Sequence, residues 1–276
     1  MNILLPTDFS ENSWNSISYA SQLFKNETCT FYLLNTYRLT IYGAEFAVPN
    51  PSEIRLMETI KDASINGLEK ISQRIEIALY NPKHTVSQIS SFSTLTREMD
   101  EIHKEYGIDF IVMGTKGATG ASKVLFGSNT VDVLNSVKCP VLAVPDNFDF
   151  EMPKEILFPS DYNIKFNESQ LKPIIDLTNQ SRVNILHVLY DKKLTDQQLD
   201  NRNKLEQIFK PISYLLHTEK KQNVPEAIEQ YLLKLDINLL VMINNKHSFF
   251  ENLFFKNKIN EIGFNLSIPF LVIPSK

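Results

Sequence analysis

The chain contains little glycine and very little cysteine. Of its 276 residues, eight are glycine, two are cysteine and one is tryptophan. The two cysteines, Cys29 and Cys139, lie 110 residues apart, and each precedes an apolar segment. Two such cysteines exclude a disulfide-stapled fold, and we expect them to be small buried thiols in a reducing compartment.

Long apolar runs and clusters of basic residues are also missing. No apolar segment approaches the roughly 18 residues that a membrane-spanning helix needs. The net charge is −4, and Lys and Arg are not concentrated anywhere. These features argue against a membrane protein and against a nucleic-acid-binding surface. Because the first apolar segment begins at Asn2, the N-terminus leaves no room for a signal peptide, and we expect a cytoplasmic protein.

The length and composition are those of two globular domains. Hydrophobic residues make up 43% of the chain and charged residues 22%, which is enough apolar material for packed cores. A chain of this length fits two domains of about 130 to 150 residues each.

The two halves of the sequence repeat each other. Residues 2–8 recur as 155–161, and residues 106–113 recur as 235–242. From residue 112 to residue 145 the halves align without a gap at an offset of 129. Such repetition indicates two copies of one domain, which we place at 1–147 and 153–276.

Within each half, short apolar runs alternate with longer amphipathic stretches. In the first half the predicted strands lie at 3–6, 30–36, 84–90, 110–113 and 141–144. Alternating strands and helices predict an α/β fold with a parallel sheet, and the continuous apolarity of the strands indicates helices on both faces. In such folds ligands bind at the carboxyl ends of the strands.

Half of the glycines form one cluster. Four of the eight fall within fourteen residues, between Gly114 and Gly127, directly after the apolar run 110–113. A glycine-rich turn lets backbone amides approach a ligand closely, and the start of a following helix adds further free amides. The predicted helix Ser128–Val137 follows at once. This arrangement favours phosphate binding, although a tight strand–helix turn without a ligand is the alternative.

The spacing of this cluster matches neither the P-loop nor the dinucleotide fingerprint. Gly114, Gly117 and Gly127 followed by Ser128 give the pattern G-x2-G-x9-G-[ST]. This pattern resembles the nucleotide loop of the universal stress protein family. Residues 3–8, 33–36 and 139–145 resemble the same family at the corresponding places.

The resemblance implies five parallel strands per domain, a Rossmann-like fold of the adenine nucleotide alpha hydrolase type, and an ATP site in the first domain, where Mg or Mn could accompany the ATP. It implies that Thr36 offers main-chain groups to adenine, that Asp8 faces the nucleoside, and that Met113 and Gly114 line the ribose. The phosphates would be held by Gly117, Gly127, Ser128, Asn129 and Thr130. The alternatives are that Asp8 caps the first helix and that Thr36 merely ends a strand; Lys116 is either an electrostatic helper or solvated.

The second half lacks this loop. At the offset of 129, Gly114 becomes Ile243, Gly117 becomes Lys246 and Gly127 becomes Lys256. Side chains there obstruct the approach of the backbone to phosphate, so we expect no nucleotide in the second domain. A segment with four phenylalanines, Phe249–Phe255, replaces the loop and either packs into the vacated pocket or forms an apolar patch for a partner.

The sequence therefore predicts a tandem universal stress protein that binds ATP in its first domain, with a stress-response or regulatory role. The final strands, 141–144 and 270–273, are expected to pair antiparallel within the chain as an intrachain pseudo-dimer. No catalytic or metal-binding residue is predicted. An ATP hydrolase or phosphotransferase, or an interaction module with vestigial sites, stays open as an alternative, as does a homodimer or an unknown protein partner.

Overall fold

Strands and helices alternate along both halves of the chain. The computed structural model describes residues 1–38, 51–116, 126–177, 181–189, 193–220, 223–244 and 267–275. The elements of the first half are β1 (Asn2–Pro6), α1 (Glu11–Leu23), β2 (Cys29–Thr36), α2 (Pro51–Ala78), β3 (His84–Ser91), α3 (Leu95–Tyr106), β4 (Phe110–Gly114), α4 (Ser128–Ser136) and β5 (Val141–Val144). Those of the second half are β6 (Glu155–Pro159), α5 (Glu168–Leu177), β7 (Arg182–Leu189), α6 (Asp196–Phe209), β8 (Ser213–Lys220), α7 (Val224–Lys234), β9 (Leu239–Asn244) and β10 (Phe270–Pro274).

The strands of the described residues form one ten-stranded sheet. Their order is β3-β2-β1-β4-β5-β10-β9-β6-β7-β8, so each half contributes five neighbouring strands. Within each half the paired strands run parallel. This arrangement confirms the predicted α/β fold with two tandem parallel-sheet units.

The two halves meet through their last strands. β5 and β10 pair antiparallel, with Phe270 opposite Ala143 and Leu271 opposite Leu142. Each strand would otherwise be an unpaired apolar edge, and pairing them satisfies both edges at once. The intrachain pseudo-dimer predicted from the sequence is therefore confirmed.

Apolar side chains cover both faces of this sheet. Two clusters of buried residues lie on opposite faces, and each cluster contains residues of both halves. Strands that are covered on both sides by helices are mostly apolar, which explains the apolar runs of the central strands, whereas the edge strands β3 and β8 contain more polar residues.

The segment that joins the halves packs onto α1. The Asn15 side-chain amide donates to the carbonyls of Pro145 (3.1 Å) and Phe148 (3.4 Å). The ring of Tyr19 packs edge-on against the ring of Phe150, with 5.1 Å between their centroids. Burial raises the pKa of the Tyr19 hydroxyl, and the nearby charge of Glu151 adds to the shift. The connection is thus part of the packed structure.

Both cysteines are buried free thiols, as the sequence predicts. Burial raises the pKa of Cys139 and of Cys29. A helix long and apolar enough to cross a membrane does not occur in the part of the chain that the structure describes.

Candidate functional site

The turn after β1 brings Asp8 to the carboxyl edge of the sheet. The Asp8 side chain is exposed, and its Oδ1 accepts hydrogen bonds from the Ser10 amide (3.1 Å) and the Ser10 hydroxyl (2.5 Å). Ser10 in turn caps α1, because its hydroxyl oxygen accepts from the Ser13 amide at 3.2 Å. Asp8 therefore supports the start of α1 while its carboxylate lies at the predicted site.

Phe9 gives this turn an unusual backbone. Its φ is +66°, a left-handed backbone conformation that residues other than glycine seldom adopt. Its amide donates to the Thr7 hydroxyl at 3.0 Å. The Phe9 ring lies on Gly67 of α2, where an added Cβ would come within 2.4 Å of the ring. The sequence does not reveal this contact, because it joins residues that only the folded chain brings together.

The end of β2 lies beside this turn because β2 is the neighbour of β1. The Asn35 side-chain amide donates to the Thr7 carbonyl at 2.7 Å. Thr36 is half-buried at the last position of the strand, and the Tyr37 amide after it donates to the Ser91 carbonyl at 3.0 Å. Thr36 and Asp8 thus lie at the same edge of the sheet.

Beyond β4 the chain forms a loop whose two ends are hydrogen-bonded together. The Gly127 amide donates to the Thr115 carbonyl at 2.8 Å. The Thr130 hydroxyl lies 3.1 Å from the carbonyl oxygens of both Gly114 and Thr115, and Thr130 is only 2% exposed. We call Thr115, Gly127 and Thr130 the loop stem. The Thr130 hydroxyl is therefore engaged in the stem and does not serve as a donor to a ligand.

Helix α4 begins at this stem. Gly127 is its N-cap, with φ −66° and ψ 159°, and the first intrahelical bond runs from the Val131 amide to the Gly127 carbonyl. Ser128 and Asn129 are exposed in the first turn. The first amides of a helix have no intrahelical acceptor and lie at the positive end of the helix dipole, so this turn suits an anion.

Two of the remaining predicted residues are enclosed by protein. Met113 is 6% exposed, with its side chain in the core. Gly114 is buried, and a Cβ there would lie 3.1 Å from the Asn12 carbonyl oxygen. Gly114 therefore also allows α1 to approach β4 closely, a packing reason that its spacing does not reveal. Gly117 lies outside the described residues, as do Lys246, Lys256 and the segment Phe249–Phe255.

Lys116 forms an ion pair at the base of the loop. Its Nζ is 3.4 Å from Oδ1 of Asp146, and its side chain is 16% exposed. Lys116 is therefore more enclosed than a solvated loop lysine, and Asp146 offsets part of its charge.

The second half keeps the first turn and changes what surrounds it. Tyr162 also has a left-handed φ, +56°, and its amide donates to the Ser160 hydroxyl at 3.1 Å. His187 occupies the place of Asn35, and its Nδ1 donates to the Ser160 carbonyl at 2.8 Å. The Tyr162 ring is buried and stacks on the His187 ring, with 4.9 Å between centroids.

Ile243, which stands where the first half has Gly114, is 7% exposed and belongs to the apolar core. The first helix of this half also starts later. α1 begins three residues after Asp8, whereas α5 begins seven residues after Asp161. The chain between the first strand and the first helix therefore follows a different path in the second half from the one in the first half, where α1 approaches Gly114 closely.

Among the described residues, no group of three or more His, Cys, Asp or Glu side chains is placed to hold a metal ion.

The fold and the edge together define a tandem α/β protein whose carboxyl-edge crevice lies between β1 and β4, where the strand order reverses. Comparison with known proteins gives the family. The universal stress protein family matches residues 1–145, and the chain belongs to that family.

Individual relatives agree with this assignment. Universal stress protein A homolog 1 of Coxiella burnetii is 27% identical over 145 residues, which are 52% of this chain and 94% of that protein. Universal stress protein MJ0531 of Methanocaldococcus jannaschii is 26% identical over 143 residues, covering 51% of this chain and 80% of that protein.

A solved structure extends the similarity to the whole chain. A universal stress protein from Archaeoglobus fulgidus superposes with a TM-score of 0.65 at 21% identity, covering 99% of this chain and 96% of the other. At this identity the likeness shows the fold, and it includes both halves.

Proposed function

We propose that the first half binds ATP at its carboxyl edge. The observation that carries this proposal is the first turn of α4, exposed at Ser128 and Asn129 and held by the loop stem beside the crevice between β1 and β4. A helix start fixed at such a crevice offers amides to phosphate without reorganisation.

The nucleotide is oriented by the order of the strands. Its adenine lies toward the end of β2, where the main chain of Thr36 is available, and its ribose lies near Asp8 and the backbone at Met113 and Gly114. The phosphates extend toward Gly117, Gly127, Ser128, Asn129 and Thr130. Thr130 contributes through its amide, because its hydroxyl closes the loop stem.

The second half does not bind nucleotide in this proposal. Buried Ile243 replaces Gly114, and the stacked Tyr162 and His187 rings lie at the turn that corresponds to Asp8. The family assignment suggests a stress-response or regulatory role for the whole chain. Cytoplasmic location and association with a second copy or another protein remain predictions.

We favour binding over turnover. Phosphoryl transfer requires a metal clamp and a positioned water or acceptor in addition to a phosphate loop. The sequence offers Asp8 but no second carboxylate or arginine in the loop. Phosphate release with Mg²⁺ or Mn²⁺ is expected to be slow or absent, and rates like those of ordinary enzymes, lost in Asp8→Ala, would assign the chain to the hydrolases instead.

The identity of the ligand is tested by releasing it from the protein and measuring its mass. Protein purified under gentle conditions is denatured, and the freed small molecules are identified by mass spectrometry and compared with an apo-protein titration of ATP, NAD and FMN. The proposal predicts an adenine mononucleotide and tighter binding of ATP than of the other two. NAD or FMN binding as tightly as ATP would contradict it.

A further inference from the structure

We infer that the second half positions the phosphate-binding helix of the first half, with Asn244 as the main positioning residue. This inference rests on the proposed function. Asn244 is the last residue of β9, and its side-chain amide donates to the Leu134 carbonyl in α4 at 2.8 Å. The bond therefore crosses from one half to the other.

The bonded carbonyl belongs to the last turn of α4, which ends at Ser136. The last four carbonyls of a helix lack intrahelical donors and need partners from elsewhere. Asn244 supplies one for Leu134 and thereby caps the end of α4 opposite to the exposed first turn. In the repeat, Asn244 corresponds to Thr115 of the loop stem, so the residue that follows β4 and the last residue of β9 both bond to the same helix.

The beginning of α4 also rests on the second half. Phe126, directly before the N-cap Gly127, is 4% exposed, and its ring centroid is 6.0 Å from that of Phe270 in β10. Phe270 is fully buried. Strands β9 and β10 of the second half therefore contact the last turn of this nine-residue helix and the residue directly before its N-cap.

A short helix that is anchored at both ends cannot shift along its axis without breaking one anchor. Because the free amides in its first turn point along that axis, their position relative to a phosphate depends on Asn244 and Phe270. The second half thus has a role in ligand binding that does not require a ligand of its own.

The test uses Asn244→Asp, which keeps the size of the side chain and removes its donor. Asn201→Asp is the matched control, since Asn201 lies in α6 of the second half and donates to the Tyr162 carbonyl over the same 2.8 Å. Dissociation constants for ATP and for adenosine are measured on the full chain. Asn244→Asp is expected to weaken ATP binding roughly three- to tenfold, the equivalent of one hydrogen bond, and to leave the dissociation constant for adenosine unchanged. Asn201→Asp is expected to leave the ratio of the two dissociation constants unchanged.

An unchanged ATP affinity in folded Asn244→Asp, or an equal loss for ATP and adenosine, would overturn the inference. Asn244→Ala provides a second variant without the added charge if Asn244→Asp does not fold. Hydrogen exchange of the α4 amides serves as a readout that is independent of ligand. If wild-type protein binds no ATP, the proposed function fails, and faster α4 exchange in Asn244→Asp than in Asn201→Asp still supports the positioning role, while equal exchange overturns it.

Discussion

At the scale of single residues, Gly127 offers the sharpest test of the phosphate site. Its φ of −66° is accessible to any residue, so Gly127→Val introduces a branched side chain at the helix start without backbone strain. The variant is expected to lose about 3 kcal/mol of binding free energy for ATP, which raises the dissociation constant roughly 100-fold, because the side chain blocks the approach of phosphate to the first amides of α4. Calorimetric titration measures this loss.

Gly107→Ala is the control for this prediction. Gly107 ends α3 with φ +61° and has open space around its Cα, so alanine there costs about 1 kcal/mol of folding free energy without a clash. Thermal melts should show the destabilisation while ATP affinity stays at the wild-type value. Normal ATP binding by Gly127→Val would remove α4 from the site.

His217 makes the stability of the second half depend on pH. Its Nε2 donates to Asn184 Oδ1 at 2.9 Å, and Tyr231, Glu219 and Lys234 lie around it. Burial, together with the positive charge of Lys234, lowers the pKa of His217 below its ordinary 6.5.

The unfolded chain therefore binds this proton more readily than the folded chain, so His217 costs no stability above about pH 6.5 and reduces stability as the pH falls below it. His217→Gln keeps a donor and cannot titrate. Urea denaturation from pH 7.5 to 5 should show a steeper loss of unfolding free energy in the wild type than in the variant. Parallel curves would contradict the assignment.

At the scale of elements, the loop stem connects the phosphate site to the fold. Thr130→Val removes the hydroxyl that bonds to Gly114 and Thr115 and leaves the volume unchanged, so we expect a loss of about 1 to 2 kcal/mol in unfolding free energy and weaker ATP binding. Thr130→Ser retains the hydroxyl but loses a buried methyl group, so it should keep the ATP affinity while its unfolding free energy falls by about 1 kcal/mol. Chemical denaturation and calorimetry provide the two measurements; equal ATP affinities of the Val and Ser variants would show that the stem bond has no role in binding.

The elements themselves were predictable because their signals are local. The strands predicted in the first half agree with β1 to β5 to within one residue at each end, and the predicted helix Ser128–Val137 differs from α4 by one residue. The contact of Phe9 with Gly67 and the bond from Asn244 to Leu134 were not predictable, because each joins residues that only the folded sheet brings together. The packing reason for Gly114 was hidden likewise, since a ligand site and a close helix approach both select glycine.

At the scale of the whole molecule, the pairing of β5 with β10 should make the two halves unfold together. Leu271→Asp places a charge in a fully buried position opposite Leu142 and is expected to cost about 3 to 5 kcal/mol. Hydrogen exchange should then accelerate in β4 and β5 as well as in β9 and β10. The control is Leu215→Asp in β8, where the side chain is 44% exposed; acceleration confined to the second half in Leu271→Asp would contradict the coupling.

In the proposed function, one chain of two similar halves binds one ATP, in the first half. Calorimetric titration of ATP into the full chain, with Asp8→Ala and Asp161→Ala compared side by side, separates the two halves, because these residues occupy equivalent turns. We expect one ATP per chain, binding that is about tenfold weaker in Asp8→Ala, the equivalent of one hydrogen bond to a charged group, and no change in Asp161→Ala. Two ATP per chain, or a loss that follows Asp161 instead of Asp8, would contradict it.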